Sequence, residues 1–373
     1  MPVILITGSK GFIGQNLNIA LRRCSDVKVL TFDSNNTLDE LDEFTESADL
    51  VFHLAGVNRP NDDADFIEGN VKLTQRLCES LSNKGKPTPL VLSSSTQAQL
   101  DNPYGRSKYQ AERIVQNYNR DTGSPVYIYR LPNVFGKWSR PNYNSVVATF
   151  CHNITHDLPV TISNPANIIH FVYVGDIINS FLEIVERDRH ESNRAFCEVE
   201  KIHSISLGNL HDLIMGFENS RFQGIVPDFS DLLTKYLYSV YVSHRNANNC
   251  AYPVELKTDN RGWLFELIKS PQSGQIFVSS TRPGVTRGNH YHDSKVEKFC
   301  VIKGDAIVRL RSLLGGDVVE YPVNGTAIQI IDIPPGYTHS IENIGNTELL
   351  TLFWANEIFD PLCPDTWSEN VLP

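Results

Sequence analysis

Two groups of residues in this 373-residue chain have types and spacings suited to chemistry. Tyr104 and Lys108, in "NPYGRSK", stand where a helix would set both side chains on one face. An ammonium beside a phenol favours the phenolate and lowers its pKa, which equips Tyr104 as a general acid/base. Ser95, closing the run "LVLSSS", is placed to hydrogen-bond the same substrate oxygen. The second group is His290, His292 and Glu297 in "GNHYHDSKVEKF", with His339 in "PPGYTHSIEN". On a strand, His290 and His292 point to one face, and Glu297 returns from the next strand after a short turn. Three imidazoles and a carboxylate suit Zn²⁺ or another first-row divalent ion.

A third pattern, "ITGSKGFIG", sets Gly8, Gly11 and Gly14 where a first strand would turn into a first helix. Glycines there allow a tight turn and close backbone approach, so that a pyrophosphate can rest on the helix N-terminus. The spacing is GxxGxxG rather than GxGxxG. Asp33 ends the second strand-like run, where a carboxylate would hold a ribose 2′-OH and favour NAD; Lys10, inside the turn, would instead pair with a 2′-phosphate and favour NADP.

The elements that must position these groups follow two grammars. Up to about residue 240, short β-branched runs ("VILIT", "VKVLTF", "LVFHLAG", "LVLSSS", "VYIYRL") alternate with helical stretches such as Phe12–Arg23, Phe66–Ser82 and Pro103–Arg120. That alternation predicts a parallel α/β sheet with helices on both faces. "VSHRNANNCAYP" (242–253) is polar and aperiodic and reads as a linker or domain edge. Beyond it, alternating runs separated by Gly, Pro, Asn and Asp turns predict an all-β sandwich or barrel. Two domains are expected, 1–245 and 246–373.

Composition narrows the function. A hydrophobic share of 41% and a charged share of 20% are those of a globular protein with a sizeable core. A formal net charge of −10 argues against nucleic acid, because no basic surplus faces phosphates. No apolar run approaches the ~20 residues of a membrane span, and "MPVILITGSKG" reads as strand and turn rather than a signal peptide. Seven scattered cysteines without a CxxC pair predict reduced thiols and a cytoplasmic setting. His152 and His156 share a helix face without an acidic partner and read as surface or packing residues.

On TGSKGFIG, "HLAG" (53–56), Asn70, YGRSK, "RLPNVFG" and "FVYVGDI", the first half resembles the extended short-chain dehydrogenase/reductases that act on nucleotide sugars. The resemblance implies a Rossmann-like doubly wound fold and a catalytic set of Ser95, Tyr104 and Lys108. It implies cofactor contacts from Gly8, Lys10, Gly11, Phe12, Ile13, Gly14, Asp33, Leu54, Ala55 and Gly56, as well as Tyr104 and Lys108, and a substrate contact from Asn133. Ser95 stands closer to Tyr104 than in many relatives, so Ser94 is an alternative. Thr96-Gln97 follows Ser95 where sugar dehydratases of the group carry an acidic or basic pair, so a reductase or epimerase fits better.

The second half resembles the cupins, jelly-roll barrels, at both of their metal motifs; Ile328 stands where a glycine is expected. "TDNRGWLFE" resembles a segment of cupin sugar 3,5-epimerases, in which Arg261 would hold a phosphate or sugar oxygen; the alternative is an arginine that ties down a turn. Over its length the chain resembles the bifunctional capsule-precursor enzymes of the CapF type. That resemblance implies C3 epimerisation of a UDP-2-acetamido-2,6-dideoxy-hexos-4-ulose in the cupin, then reduction of the C4 ketone in the first domain, on the route to UDP-N-acetyl-L-fucosamine. A biosynthetic reduction tips the cofactor towards NADPH, with NAD the alternative. A homodimer is also implied. The rival reading keeps the reductase and makes the cupin a metal-stabilised dimerisation or sugar-binding module.

Overall fold

The computed structural model describes residues 1–60, 62–186, 195–222, 225–253, 257–259, 262–264, 268, 274–357 and 362–373. The chain forms two compact units, one of Met1–Ser145 with Ile169–Ser204, the other of Val146–Ile168 with Ile205–Pro373.

In the first unit, strands β1 (Val3–Thr7), β2 (Lys28–Phe32), β3 (Leu50–His53), β4 (Leu90–Ser95) and β5 (Val126–Leu131) form a parallel sheet in the order β2-β1-β3-β4-β5, extended by the short strand Phe196–Cys197. β1, β3 and β4 are buried nearly throughout because helices cover both faces; Leu5, Val51, Leu90, Leu92 and Ile128 pack with Leu77, Ala111 and Val115 from the helices. The strand order reverses between β1 and β3, and at such a switch point the C-terminal strand ends leave a crevice for a ligand. The turn "GSKG" and the segment "LAG" flank that crevice. Gly8 has φ +72°, and a Cβ on it would lie 2.6 Å from the Ala55 nitrogen, so the two segments touch backbone to backbone. Helix Pro103–Thr122 starts cleanly because Asn102 accepts from the Gly105 amide (2.8 Å) and Pro103 needs no donor there. It stops at Gly123, which adopts a left-handed φ of +72°.

The second unit holds two five-stranded antiparallel sheets. One runs Ala251–Pro253, Gln329–Ile333, Glu297–Lys303, Leu349–Ala355, Gln275–Thr281 in spatial order. The other runs Val319–Asn324, Asp305–Ser312, Tyr337–Asn343, Thr286–Tyr291, Trp367–Ser368. Phe299, Val301, Val308, Leu310, Ile331, Ile341 and Phe353 fill the space between them. Strands Lys257–Asp259 and Gly262–Leu264 pair as a separate ribbon; Arg261 lies outside the described residues.

Helices Val146–Thr155, Leu207–Arg221 and Leu232–Ser243 belong to this second unit, so the compact units do not divide at 245/246. The segment 242–253, expected to be a linker, is packed: Val242, Arg245, Cys250 and Tyr252 are buried, and Ala251–Pro253 pairs with Gln329–Ile331. Its polarity misleads because its charge is satisfied internally, Arg245 pairing with Glu218. Nearby, Arg221 Nε meets Asp332 Oδ2 at 3.0 Å and Lys298 Nζ meets Asp332 Oδ1 at 2.5 Å, all three side chains buried. Burial works against the Asp332 carboxylate, but Lys298 and Arg221 outweigh it and hold its pKa below the ordinary value. A triad of this kind binds helix to barrel, because either charge left alone would be buried unpaired. Among the described residues every cysteine is free, and no helix is long and apolar enough to cross a membrane.

Candidate functional site

β4 and the Pro103–Thr122 helix bring the first constellation together. Ser95 stands near enough to Tyr104 to act downward on the pKa of its phenol. Ser94, the alternative, is turned inward, its hydroxyl donating to Glu112 Oε1 at 2.6 Å. Successive residues of a strand face opposite sides, so the structure directs Ser95 to Tyr104 and Ser94 to the interior. Lys108 is buried, and its Nζ donates to the Ser93 carbonyl at 3.0 Å. A Cβ on Gly56 would lie 3.2 Å from that Nζ and 2.8 Å from Asn70 Oδ1, so the "LAG" segment, Asn70 and Lys108 meet at one point. Asn70 sits there because its side chain accepts from the Val57 amide (2.8 Å) and donates to Ser107 Oγ (3.0 Å).

The electrostatics differ from expectation in one respect. Burial raises the Tyr104 phenol, and Ser95 only partly offsets that rise. Lys108 gives one of its three donors to the Ser93 carbonyl, and burial rather than its charge governs the phenol. A raised phenol stays protonated at neutral pH and is therefore equipped to give a proton. Burial also lowers Lys108, to about 8, with Glu112 acting in the opposite direction. Glu112 is itself buried and gripped by Arg130 at 2.9 and 2.6 Å.

At the glycine turn, Asp33 accepts from Ser9 Oγ (2.6 Å) and from the Lys10 amide (2.9 Å), while the Lys10 side chain is exposed. Gly14 opens the helix behind the turn, where a Cβ would strike the Gly8 carbonyl. Phe12 and Ile13 are half-buried in its first turn, and Leu54 and Ala55 are half-buried opposite. Gly8 and Ala55 approach backbone to backbone, and a turn with no room for side chains suits a dinucleotide pyrophosphate. Asn133 is exposed and its side chain donates to the His170 carbonyl at 3.2 Å.

In the second unit the four predicted ligands converge, their ligating atoms all lying within 4.8 Å of one another. His290 and His339 face each other across paired strands; a bulge between Gly288 and His290, with Asn289 at φ +56°, re-aims His290 inward. His292 follows the strand end, and Glu297 opens the next strand. Glu297 Oε2 lies 3.1 Å from His292 Nε2 and 3.4 Å from His339 Nε2. His292 Nδ1 donates to the Asp365 carbonyl, which can only accept. That bond leaves Nε2 as the ring atom facing the Glu297 carboxylate, the orientation in which a cation between them would take both as ligands. His292 Nε2 and both His339 ring nitrogens are buried without a hydrogen-bond partner. Burial lowers His290 to about 4 and also lowers His339, so both present lone pairs at neutral pH. This donor set fits a divalent cation such as Zn²⁺.

Residues that no spacing rule reveals complete the centre. Asp365, from the C-terminal tail, accepts the amides of Asp293, Ser294 and Lys295 at 2.8, 2.7 and 2.7 Å, and burial notwithstanding its carboxyl is held down to about 2 by them. It fixes the loop between His292 and Glu297. Lys295, Glu357 and Thr366 line a cavity beside the cluster together with Phe277, His290 and Glu297. Arg130 and Glu112 were equally silent, although Glu112 follows Lys108 by one helical turn and that register was a usable signal.

Residues 4–197 match the NAD dependent epimerase/dehydratase family, and residues 257–367 match the polysaccharide biosynthesis C-terminal domain. A Pseudomonas aeruginosa protein named UDP-2-acetamido-2,6-beta-L-arabino-hexul-4-ose reductase is 44% identical over 368 residues, 99% of this chain and 98% of its own. The crystal structure of capsular polysaccharide assembling protein CapF from Staphylococcus aureus is 38% identical, covers 99% of this chain and 100% of its own, and superposes with a TM-score of 0.67. A UDP-glucuronic acid 4-epimerase from Bacillus cereus shares the fold of the first part, at 19% identity over 58% of this chain and 83% of its own, with a TM-score of 0.52. The chain thus belongs to the NAD dependent epimerase/dehydratase family, in the CapF-type form that joins an extended short-chain dehydrogenase/reductase sheet to a C-terminal cupin-like β domain.

Proposed function

We propose that this protein converts a UDP-2-acetamido-2,6-dideoxy-hexos-4-ulose in two steps, inversion at C3 in the barrel and then reduction of the C4 ketone at Tyr104, serving capsule or O-antigen precursor synthesis. The functional division follows the sequence, with reduction in 1–245 and epimerisation in 246–373. The observation that carries the reading is that one chain holds both a Ser95–Tyr104–Lys108 constellation beside a dinucleotide crevice and a buried three-histidine, one-glutamate centre. The full-length similarity to a named 4-ketosugar reductase supports the substrate class.

When bound, a reduced nicotinamide dinucleotide supplies the hydride that C4 receives, and a divalent ion held by His290, His292, Glu297 and His339 supplies positive charge for the developing oxyanion. Tyr104 gives its proton to O4 as the ketone becomes an alcohol. Ser95 hydrogen-bonds the same oxygen and orients it, and Lys108 keeps positive charge beneath the phenol. Asn133 contributes to holding the substrate, and Arg261 is assigned to the sugar or phosphate in the barrel. The order of steps follows from acidity: the C3 proton is labile only while C4 is a ketone, because its loss gives an enolate. Reduction first would end the epimerisation. The exposed Lys10 ammonium on the turn, with the Asp33 charge engaged by Ser9 and the Lys10 amide, favours NADPH over NADH.

The test is turnover of this ketosugar by the full-length protein with NADPH or NADH, with the C3 and C4 configurations of the product read by NMR. Inversion at C3 together with an alcohol at C4 supports the two-step reading. Reduction with C3 retained would leave a reductase whose barrel is a dimerisation or sugar-binding module.

A further inference from the structure

The barrel's ligand cluster opens on a cavity of about 250 Å³ that the ligands do not fill. His290, the one half-exposed ligand, forms part of its wall, and Phe277, stacked face to face on Phe353 at 4.8 Å, forms an apolar part. Two charged side chains in that wall belong to neither the metal set nor the reductase. Lys295 is 7% exposed and donates to Thr366 Oγ1 at 2.7 Å. Thr366 engages one of three ammonium donors, and among the described residues no carboxylate pairs with Lys295. Its backbone is pinned by Asp365, so the charge is held at a fixed place. Glu357 is the other: its carboxylate meets Lys235 Nζ at 3.1 Å and is a quarter exposed. Glu297, the remaining carboxylate of the wall, is committed to His292 and His339.

Exchange of a proton beside a ketone needs a base at carbon and positive charge at oxygen. The cavity offers one carboxylate outside the metal set, paired with Lys235 and a quarter exposed, and one immobilised ammonium that no carboxylate of the described residues pairs with. We propose that Glu357 is the proton-transfer base and Lys295 the enolate-binding cation of the C3 inversion, an assignment that rests on reading the barrel as an epimerase. The C3–H bond breaks and its proton passes to Glu357. The electron pair forms the C3–C4 double bond, and O4 becomes the enolate oxygen held by Lys295. Solvent water then delivers a proton to the opposite face of C3, C4=O re-forms, and Glu357 returns its proton to solvent. One solvent hydrogen enters C3 for each inversion.

The full-length protein, loaded with zinc and free of nicotinamide, is incubated with UDP-2-acetamido-2,6-dideoxy-hexos-4-ulose in D₂O, and the C3 proton signal is followed by NMR. Bound metal and melting temperature are measured for every variant. The wild-type protein is expected to wash out the C3 proton. Glu357→Gln slows this by about 10²- to 10⁴-fold, and Lys295→Met by about 10²- to 10³-fold, each with zinc still bound and substrate affinity changed far less than rate. Glu357→Asp restores part of the loss, and Lys235→Met leaves exchange within about tenfold of wild type, because it removes the partner and keeps the carboxylate. If the wild-type protein leaves C3 untouched, the epimerase reading itself falls. If it exchanges and Glu357→Gln exchanges at a similar rate, Glu357 is not the base while the epimerase stands. Should Lys295→Met lose its zinc, Lys295→Arg decides: retained charge with retained exchange supports the assignment, and zinc-loaded Lys295→Arg without exchange overturns it.

Discussion

The two constellations are built by opposite devices. Ser95, Tyr104 and Lys108 come from one strand, one turn and one helix that follow each other in sequence, at the open ends of parallel strands. The four metal-type ligands come from three antiparallel strands and a strand end, are mostly buried, and are locked by a tail residue 73 positions from the histidine it orients. The first arrangement needs only a correctly started helix beside a correctly ended strand. The second exists only once a whole β unit has closed, and that unit recruits helices from the preceding sequence. A local site tolerates a change in distant packing better than a site assembled by it.

The largest expected effect tests that dependence directly. A fragment of residues 246–373 lacks Leu207–Arg221 and Leu232–Ser243 and leaves Asp332 and Lys298 without Arg221. It is expected to show no cooperative thermal transition, whereas a fragment from 146 onwards, which keeps every segment of the unit, melts cooperatively; breaking the buried triad alone costs about 3–5 kcal/mol. Calorimetry on the two fragments decides, and equal melting would mean that the barrel is self-sufficient. Next in size, Tyr104→Phe lowers ketone reduction by about 10²- to 10⁴-fold while deuterium entry at C3 continues. Loss of both activities together would join two sites that the fold keeps apart in sequence.

A third change weakens the tail's hold. Asp365→Ala frees three backbone donors and releases the loop carrying His292 towards Glu297. Zinc affinity is expected to fall about 10- to 100-fold, as for loss of an outer partner of a metal site, measured by competition with a chelating dye. The smallest effect concerns pH. Lys108 titrates near 8 when folded, below its ordinary 10.5, chiefly through burial. Between pH 8 and 10.5 the unfolded chain holds a proton that the folded chain lacks, so stability rises with pH across that window. Reduction, which uses the charged form, falls as pH rises through about 8. Glu112→Gln removes the group acting upward on Lys108, so the fall moves to lower pH. A pH–rate profile unmoved by this change would show that Glu112 serves packing alone.

Much of this was legible in the residues. YxxxK, the glycine turn and the paired histidines declare themselves because helix and strand periods place neighbours on one face whatever surrounds them. The choice between Ser94 and Ser95 was not legible, since both meet the Pro103–Thr122 helix and only the buried Glu112 shows that Ser94 is engaged in the interior. Nor was the packing of 242–253, whose polar letters conceal Arg245 paired with Glu218 and Cys250 under the sheet. The phenol's pKa went against expectation because sequence places Lys108 on the right face but does not show how deeply the phenol is buried.

The sequence by itself determined the local geometry: which strands alternate with helices, which glycines turn, which four side chains can ligate. Tertiary structure alone decided what stands around them. Asp365 beneath His292, Lys295 against Thr366, Glu357 against Lys235 and Arg221 against Asp332, 111 residues away, meet because closed sheets and packed helices bring them together. Side-chain period is a property of a few consecutive φ/ψ angles and survives in any context. Contacts across a closed barrel depend on every register between them, and no short stretch of sequence carries that sum.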